Sequence, residues 1–159
     1  MAEYALADAK TVIPLGEGIS LEAGASSVVN PMTALGMVER LKELKTKTVI
    51  LTAAASQLGR MLINVCKEEK IEVICTVRRA EQVKVLQTDN VVNTSDKDWK
   101  EKMGNLCKKL KPTACLDAIA GKMTGTIMSF LEFGGTMIVY GLLSEENVGD
   151  IGNLEVMTK

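Results

Sequence analysis

The segment Val49-Ile50-Leu51-Thr52-Ala53-Ala54-Ala55-Ser56-Gln57-Leu58-Gly59-Arg60-Met61 constrains this chain more than any other. It is a β-branched apolar run, then a turn of tiny residues, then the opening of an amphipathic helix. A strand that breaks into a helix through small side chains leaves the first helical N–H groups uncovered. With the positive end of the helix dipole, those groups form an anion site. Small side chains let a phosphate approach the backbone, and Gly59 lets the helix pack close to the strand. That is the logic of a dinucleotide-binding turn. The match to G-x-G-x-x-G is incomplete: the last glycine is present, with Ala53 and Ser56 where other glycines often sit. A methyl at position 53 permits close approach if its φ is negative, and the Ser56 hydroxyl can donate to a phosphate oxygen. Alone, the turn also suits a tight connection in any parallel α/β domain.

The surrounding pattern narrows this. Apolar runs at 49–52, 71–77, 91–92, 114–119 and 136–140 read as strands. Between them, residues 58–68, 79–87, 95–110 and 123–133 read as helices. Regular alternation of strand and helix means βαβ units, right-handed crossovers and a parallel sheet. The expected fold class is α/β: a Rossmann-type doubly wound sheet in three α/β/α layers. Its expected strand order is 3-2-1-4-5, with a candidate sixth strand over 153–158. Upstream, residues 2–6 and 11–13 read as short strand pieces, and Ser20 as the cap of a helix over 21–29. Asn30-Pro31 reads as N-cap and first helical residue of a helix running to about residue 44. That helix is expected to bury Ala34, Leu35, Val38 and Leu41, with Met37 beside them. Residues 1–45 thus look like a lead-in from something earlier. Residues 46–143 form the dinucleotide-binding domain, and 144–159 a tail.

Charge and composition exclude several functions. The 159 residues hold 19 basic and 20 acidic side chains, a net charge of −1, which does not suit a nucleic-acid partner. No apolar run approaches the length of about 18 residues that spans a bilayer, and no signal peptide is legible. Cys66, Cys75, Cys107 and Cys115 show no C-x-x-C spacing and read as buried free thiols, which fits a reducing, cytoplasmic setting. The chain has no histidine, so Ser-His and Cys-His pairs and imidazole metal ligands are excluded. No catalytic residue and no metal site are expected within it.

Five segments then point to a family. They are Val29-Asn30-Pro31-Met32-Thr33-Ala34, the 53–59 turn, Thr76-Val77-Arg78-Arg79, Asp117-Ala118-Ile119-Ala120-Gly121, and Phe133-Gly134-Gly135-Thr136-Met137-Ile138-Val139-Tyr140-Gly141. In this order and spacing the chain resembles, over nearly its whole length, the cofactor-binding half of the medium-chain dehydrogenase/reductase superfamily. It looks closest to the zinc-independent quinone-reductase and enoyl-thioester-reductase branch. The resemblance implies a cofactor-binding set of Asn30, Thr33, Ala54, Ser56, Gln57, Leu58, Gly59, Arg78, Arg79, Ile119, Tyr140 and Gly141. It also implies hydride transfer between C4 of a nicotinamide and an enone, quinone or enoyl thioester. The substrate would be held against a catalytic domain that supplies the proton donor and joins this chain through residues 1–45, so the resemblance implies a cofactor domain cut from a longer protein.

Individual residues carry structural roles beside these. Asn30 suits a helix cap as well as a nicotinamide pocket, and Thr33 can bond a phosphate or ribose or simply pack. Tyr140 lies where a parallel strand ends and ligands bind, or is a rim residue. Asp117 is placed to orient a neighbouring loop. An NAD site usually carries an acid after the second strand; here stand Arg78 and Arg79, which suit the 2′-phosphate of NADP(H) through charge-assisted bonds. One of them could equally be a surface charge. A binding module without catalysis, used for assembly or sensing, is the alternative. A small methyltransferase-like enzyme is disfavoured by the missing acid. An open sheet edge would also invite a homodimer.

Overall fold

The computed structural model describes residues 3–86, 88–149 and 151. Among them the chain runs α1 (Leu21–Ser26), α2 (Val29–Glu43), β1 (Thr48–Leu51), α3 (Gln57–Glu68), β2 (Glu72–Val77), α4 (Ala80–Val85), β3 (Val91–Asn93), α5 (Trp99–Leu110), β4 (Ala114–Asp117), α6 (Lys122–Met128) and β5 (Thr136–Val139). The strands form one parallel sheet in the order β3-β2-β1-β4-β5. This is the order expected from the alternation.

Central β1 is buried at all four positions, as a strand covered on both faces must be. Its side chains alternate between two cores. Val49 and Leu51 join Val73, Cys75 and Leu116 beneath Ala34, Val38 and Leu41 of α2 and Leu62 and Cys66 of α3. Ile50 joins Ile74, Val92 and Cys115 against Met103 and Cys107 of α5 and Ile127 of α6. The crossovers therefore change face between β1 and β4. There the connections lead away on opposite sides and open a crevice at the strand ends.

Three local expectations are corrected. Asn30 is not the cap of α2; the helix begins two residues earlier than expected, at Val29 with Val28 as N-cap. Pro31 sits inside the first turn because the first helical N–H groups need no partner there. The first bond of that turn is Met32 N–H to the Val28 carbonyl, 3.0 Å. Leu35 is half exposed, because the buried stripe 34–38–41 leaves it a third of a turn off the core. Residues 3–20 hold no strand: Tyr4, Leu6, Val12 and Ile13 are exposed and no ladder is there to pair with. The candidate strand over 153–158 lies outside the described residues. No helix among the described residues is long and apolar enough to cross a membrane.

Candidate functional site

At the carboxyl ends of β1, β2 and β4 lies a pocket of about 400 Å³, within the size range of ligand sites. Each connection contributes to it: Ala53, Ala55 and Ser56 after β1, Arg78, Arg79 and Gln82 after β2, Thr94 after β3, Ile119 after β4, and Leu143 and Ser144 after β5.

The turn after β1 hangs from both neighbouring strands. Thr52 N–H donates to the Leu116 carbonyl and Ala54 N–H to the Thr76 carbonyl, each at 3.1 Å. Ala53 between them has φ +48°, in the left-handed region. The condition of a negative φ set for close approach is therefore not met: the chain reverses here within one residue, a conformation glycine adopts freely and alanine only at a cost. Ser56 caps α3, its Oγ accepting Gly59 N–H at 3.0 Å. Its hydroxyl hydrogen has no acceptor among the described residues, so one side chain can cap the helix and still donate outward. The N–H groups of Gln57 and Leu58 likewise have no protein acceptor among the described residues. They are free at the N-terminus of α3, where the sequence suggested donors for an anion. Gly59 is required for space: a Cβ there would stand 2.5 Å from the Ala54 carbonyl oxygen.

The β4–α6 turn is built on a buried carboxylate. Asp117 Oδ1 accepts from Thr52 Oγ1 at 2.8 Å and from Ile119 N–H at 2.9 Å. Its Oδ2 accepts from Thr124 Oγ1 at 2.6 Å. Thr52 Oγ1 in turn accepts Ala118 N–H at 2.8 Å. Asp117, Thr52 and Thr124 are all fully buried. The carboxylate thus ties β1, β4 and α6 together and fixes Ile119 at the pocket wall. It orients the loop, as its position suggested.

After β2, Arg78 and Arg79 are both exposed, and among the described residues neither guanidinium has a carboxylate within ion-pair distance. Among the described residues no acidic side chain lines the pocket. Two unpaired cations do, and free N–H donors lie just behind its Ser56 wall.

The pocket brings together Ser56, Arg78, Arg79 and Ile119 of the expected set, with Gln57, Leu58 and Gly59 behind Ser56 on α3. Ala54 does not line it. Its methyl is fully buried and its N–H is taken, so Ala53 and Ala55 form the wall instead. Asn30, Thr33, Tyr140 and Gly141 also fall outside the lining. The Thr33 hydroxyl donates to its own helix at the Val29 carbonyl, 2.7 Å. Tyr140 packs on the core beneath α2 and α3, its hydroxyl oxygen buried without a hydrogen-bond partner among the described residues. Burial pushes that phenol up to about 12. Gly141 lets the chain leaving β5 run against β4, where a Cβ would meet the Ala118 carbonyl oxygen at 2.6 Å.

Gln82, Thr94, Leu143 and Ser144 were not legible as site residues. Gln82 lies one turn past the arginines and offered a faint signal. Leu143 and Ser144 arrive only because their N–H groups bond the Ala118 and Ile119 carbonyls at 3.1 and 2.9 Å. All four cysteines are buried and free. Burial pushes the thiols of Cys66 and Cys107 up to about 11 and that of Cys75 to about 12, which makes them inert. Among the described residues no three Cys, Asp or Glu side chains group to hold a metal ion.

The family model for zinc-binding dehydrogenase matches residues 58–159, well over half of the chain. A mitochondrial enoyl-[acyl-carrier-protein] reductase of Caenorhabditis elegans is 29% identical over 153 residues, covering 91% of this chain and 44% of the relative. Among solved structures, a Mesorhizobium loti protein provisionally designated an NADPH:quinone reductase superposes with a TM-score of 0.81 at 33% identity, over 86% of this chain and 41% of that one. Escherichia coli quinone oxidoreductase, solved in complex with NADPH, shares the fold with a TM-score of 0.73 at 22% identity, over 90% of this chain and 44% of its own. The chain spans less than half the length of each.

Proposed function

The chain belongs to the zinc-binding dehydrogenase family, and on that premise we propose that it is the NADP(H)-binding domain of a zinc-independent oxidoreductase that reduces a quinone, enone or enoyl thioester. The observation that carries this is the make-up of the pocket. The hydroxyl of Ser56 and the two unpaired guanidiniums line it, the free N–H groups of Gln57 and Leu58 lie just behind Ser56 on α3, and among the described residues no carboxylate lines it.

These residues fit NADP(H). The α3 donors suit a pyrophosphate. Arg78 and Arg79 suit a 2′-phosphate, which takes charge-assisted bonds that a ribose hydroxyl does not need. Ala53, Ala55 and Ile119 supply small or apolar walls against which the cofactor can lie. The nicotinamide, when bound, supplies the hydride; the protein's part is to bind, orient and exclude water. Asp117 serves that part by holding the Ile119 wall rigid through the Thr52 and Thr124 hydroxyls.

Calorimetric titration of the chain with NADPH and NADH tests the reading. Saturable NADPH binding at least tenfold tighter than NADH is expected. Equal affinity would remove the role given to the arginines. Failure to bind either would favour a binding module of another kind.

A further inference from the structure

The turn after β2 has an unusual property: the main-chain groups of both its arginines are already engaged. Gln82 Oε1 accepts Arg78 N–H and Arg79 N–H, each at 3.1 Å. The Arg79 carbonyl accepts Gln82 N–H at 3.0 Å. The Arg78 carbonyl accepts the Ser95 hydroxyl at 2.7 Å. One step earlier, the Val77 carbonyl accepts both the N–H and the hydroxyl of Thr94, at 2.8 and 3.1 Å. No main-chain donor at either arginine remains for a ligand, so recognition at this end of the pocket falls to side chains.

The orientation of Gln82 follows from its partners. Two N–H donors converge on one atom, and only the carboxamide oxygen can accept both. The Nε2 group therefore occupies the other position. It carries two donors and has no acceptor among the described residues, on a side chain that lines the pocket.

We propose that Gln82 is a positioning and specificity residue: its oxygen locks the Arg78–Arg79 turn, and its amide donates to the 2′-phosphate beside the two guanidiniums. The proposal rests on the NADP(H) reading and deepens it. The physical point is the balance of donors and acceptors. A ribose hydroxyl is recognised chiefly by an acceptor, and the acceptor at hand, Gln82 Oε1, already receives two bonds. What the turn presents is two cations and an amide donor, a set that favours an anionic acceptor and does little for a diol.

The test uses 2′,5′-ADP and 5′-AMP, which differ by the 2′-phosphate alone, titrated calorimetrically against the full chain. Gln82→Glu keeps an oxygen for the two N–H groups and replaces the donor with a second, charged acceptor. It should weaken 2′,5′-ADP at least tenfold and leave 5′-AMP unchanged or tighter. Gln82→Met removes both functions and should lower the preference for 2′,5′-ADP severalfold without weakening 5′-AMP. A side chain that merely supported the fold would lower both ligands together in the two variants. Wild-type preference for 2′,5′-ADP that Gln82→Glu leaves untouched, or parallel loss of both ligands in both variants, would overturn this proposal alone. A wild-type chain with no preference for 2′,5′-ADP would overturn the NADP(H) reading, and this proposal with it.

Discussion

Thr124→Val probes the carboxylate on which the site is built. The substitution keeps the shape of a fully buried side chain and deletes the hydroxyl that donates to Asp117 Oδ2 at 2.6 Å. That oxygen has no other donor among the described residues, while Oδ1 keeps Thr52 and Ile119. A hydrogen bond to a charged group is worth about 1.5–3 kcal/mol. The added methyl returns about 0.8 kcal/mol of burial. The net loss is then about 1–2 kcal/mol, a fall in Tm of about 2–8 °C for a domain of this size. Thr52→Val should cost more, because that hydroxyl both donates to Asp117 and accepts Ala118 N–H. Urea unfolding read from the fluorescence of Trp99, which packs 6.3 Å from Phe130, reports both variants. An unchanged slope would show that only native-state stability had moved. If Thr124→Val stays within about 0.5 kcal/mol of wild type, below the range for a bond to a charged group, the carboxylate does not depend on that hydroxyl and the reasoning fails.

Four further outcomes are expected. Removing both Arg78 and Arg79 should cost NADPH about 2–4 kcal/mol, from charged hydrogen bonds that do not add fully, and leave NADH nearly unchanged; equal loss for both in titration would make the arginines structural. Ala53→Gly relieves about 1–2 kcal/mol of left-handed strain against about 0.4–1 kcal/mol of unfolded-state entropy. Thermal melting should therefore show Ala53→Gly equal to or above wild type, and β-branched Ala53→Val below it. The thiol pKa values rise on folding, from 9.0 to about 11 at Cys66 and to about 12 at Cys75, so their contribution is intact below pH 9 and lost as pH climbs through those values; urea midpoints that stay flat from pH 8 to about 11 would contradict this linkage. Finally, β5 is one of the two sheet edges among the described residues, and an unpaired edge invites a second copy; a concentration series by light scattering should show a dimer, and a monomer throughout would mean that the edge is covered.

Fold class and strand order were legible because they rest on periodicity. Apolar runs of strand length separated by helical stretches admit few topologies once crossovers must be right-handed. The free donors at the N-terminus of α3 were legible for a related reason: tiny residues between a strand and a helix leave donors bare, whatever lies elsewhere. Local chemistry also placed Arg78 and Arg79 at the end of β2 and made Asp117 a loop anchor. These are statements about neighbours in sequence, and backbone geometry carries them.

What tertiary structure decided were relations between distant segments. The left-handed φ of Ala53 follows from a turn pinned at once to Leu116 and Thr76 on two other strands. The entry of Leu143 and Ser144 into the pocket depends on a tail that bonds the β4–α6 turn. Tyr140 turned to the core beneath α2 because that helix covers the sheet face there, which no property of residue 140 announces. A sequence specifies the donors and acceptors it carries; which of them remain free for a ligand is settled when the packed chain has satisfied its own buried groups first.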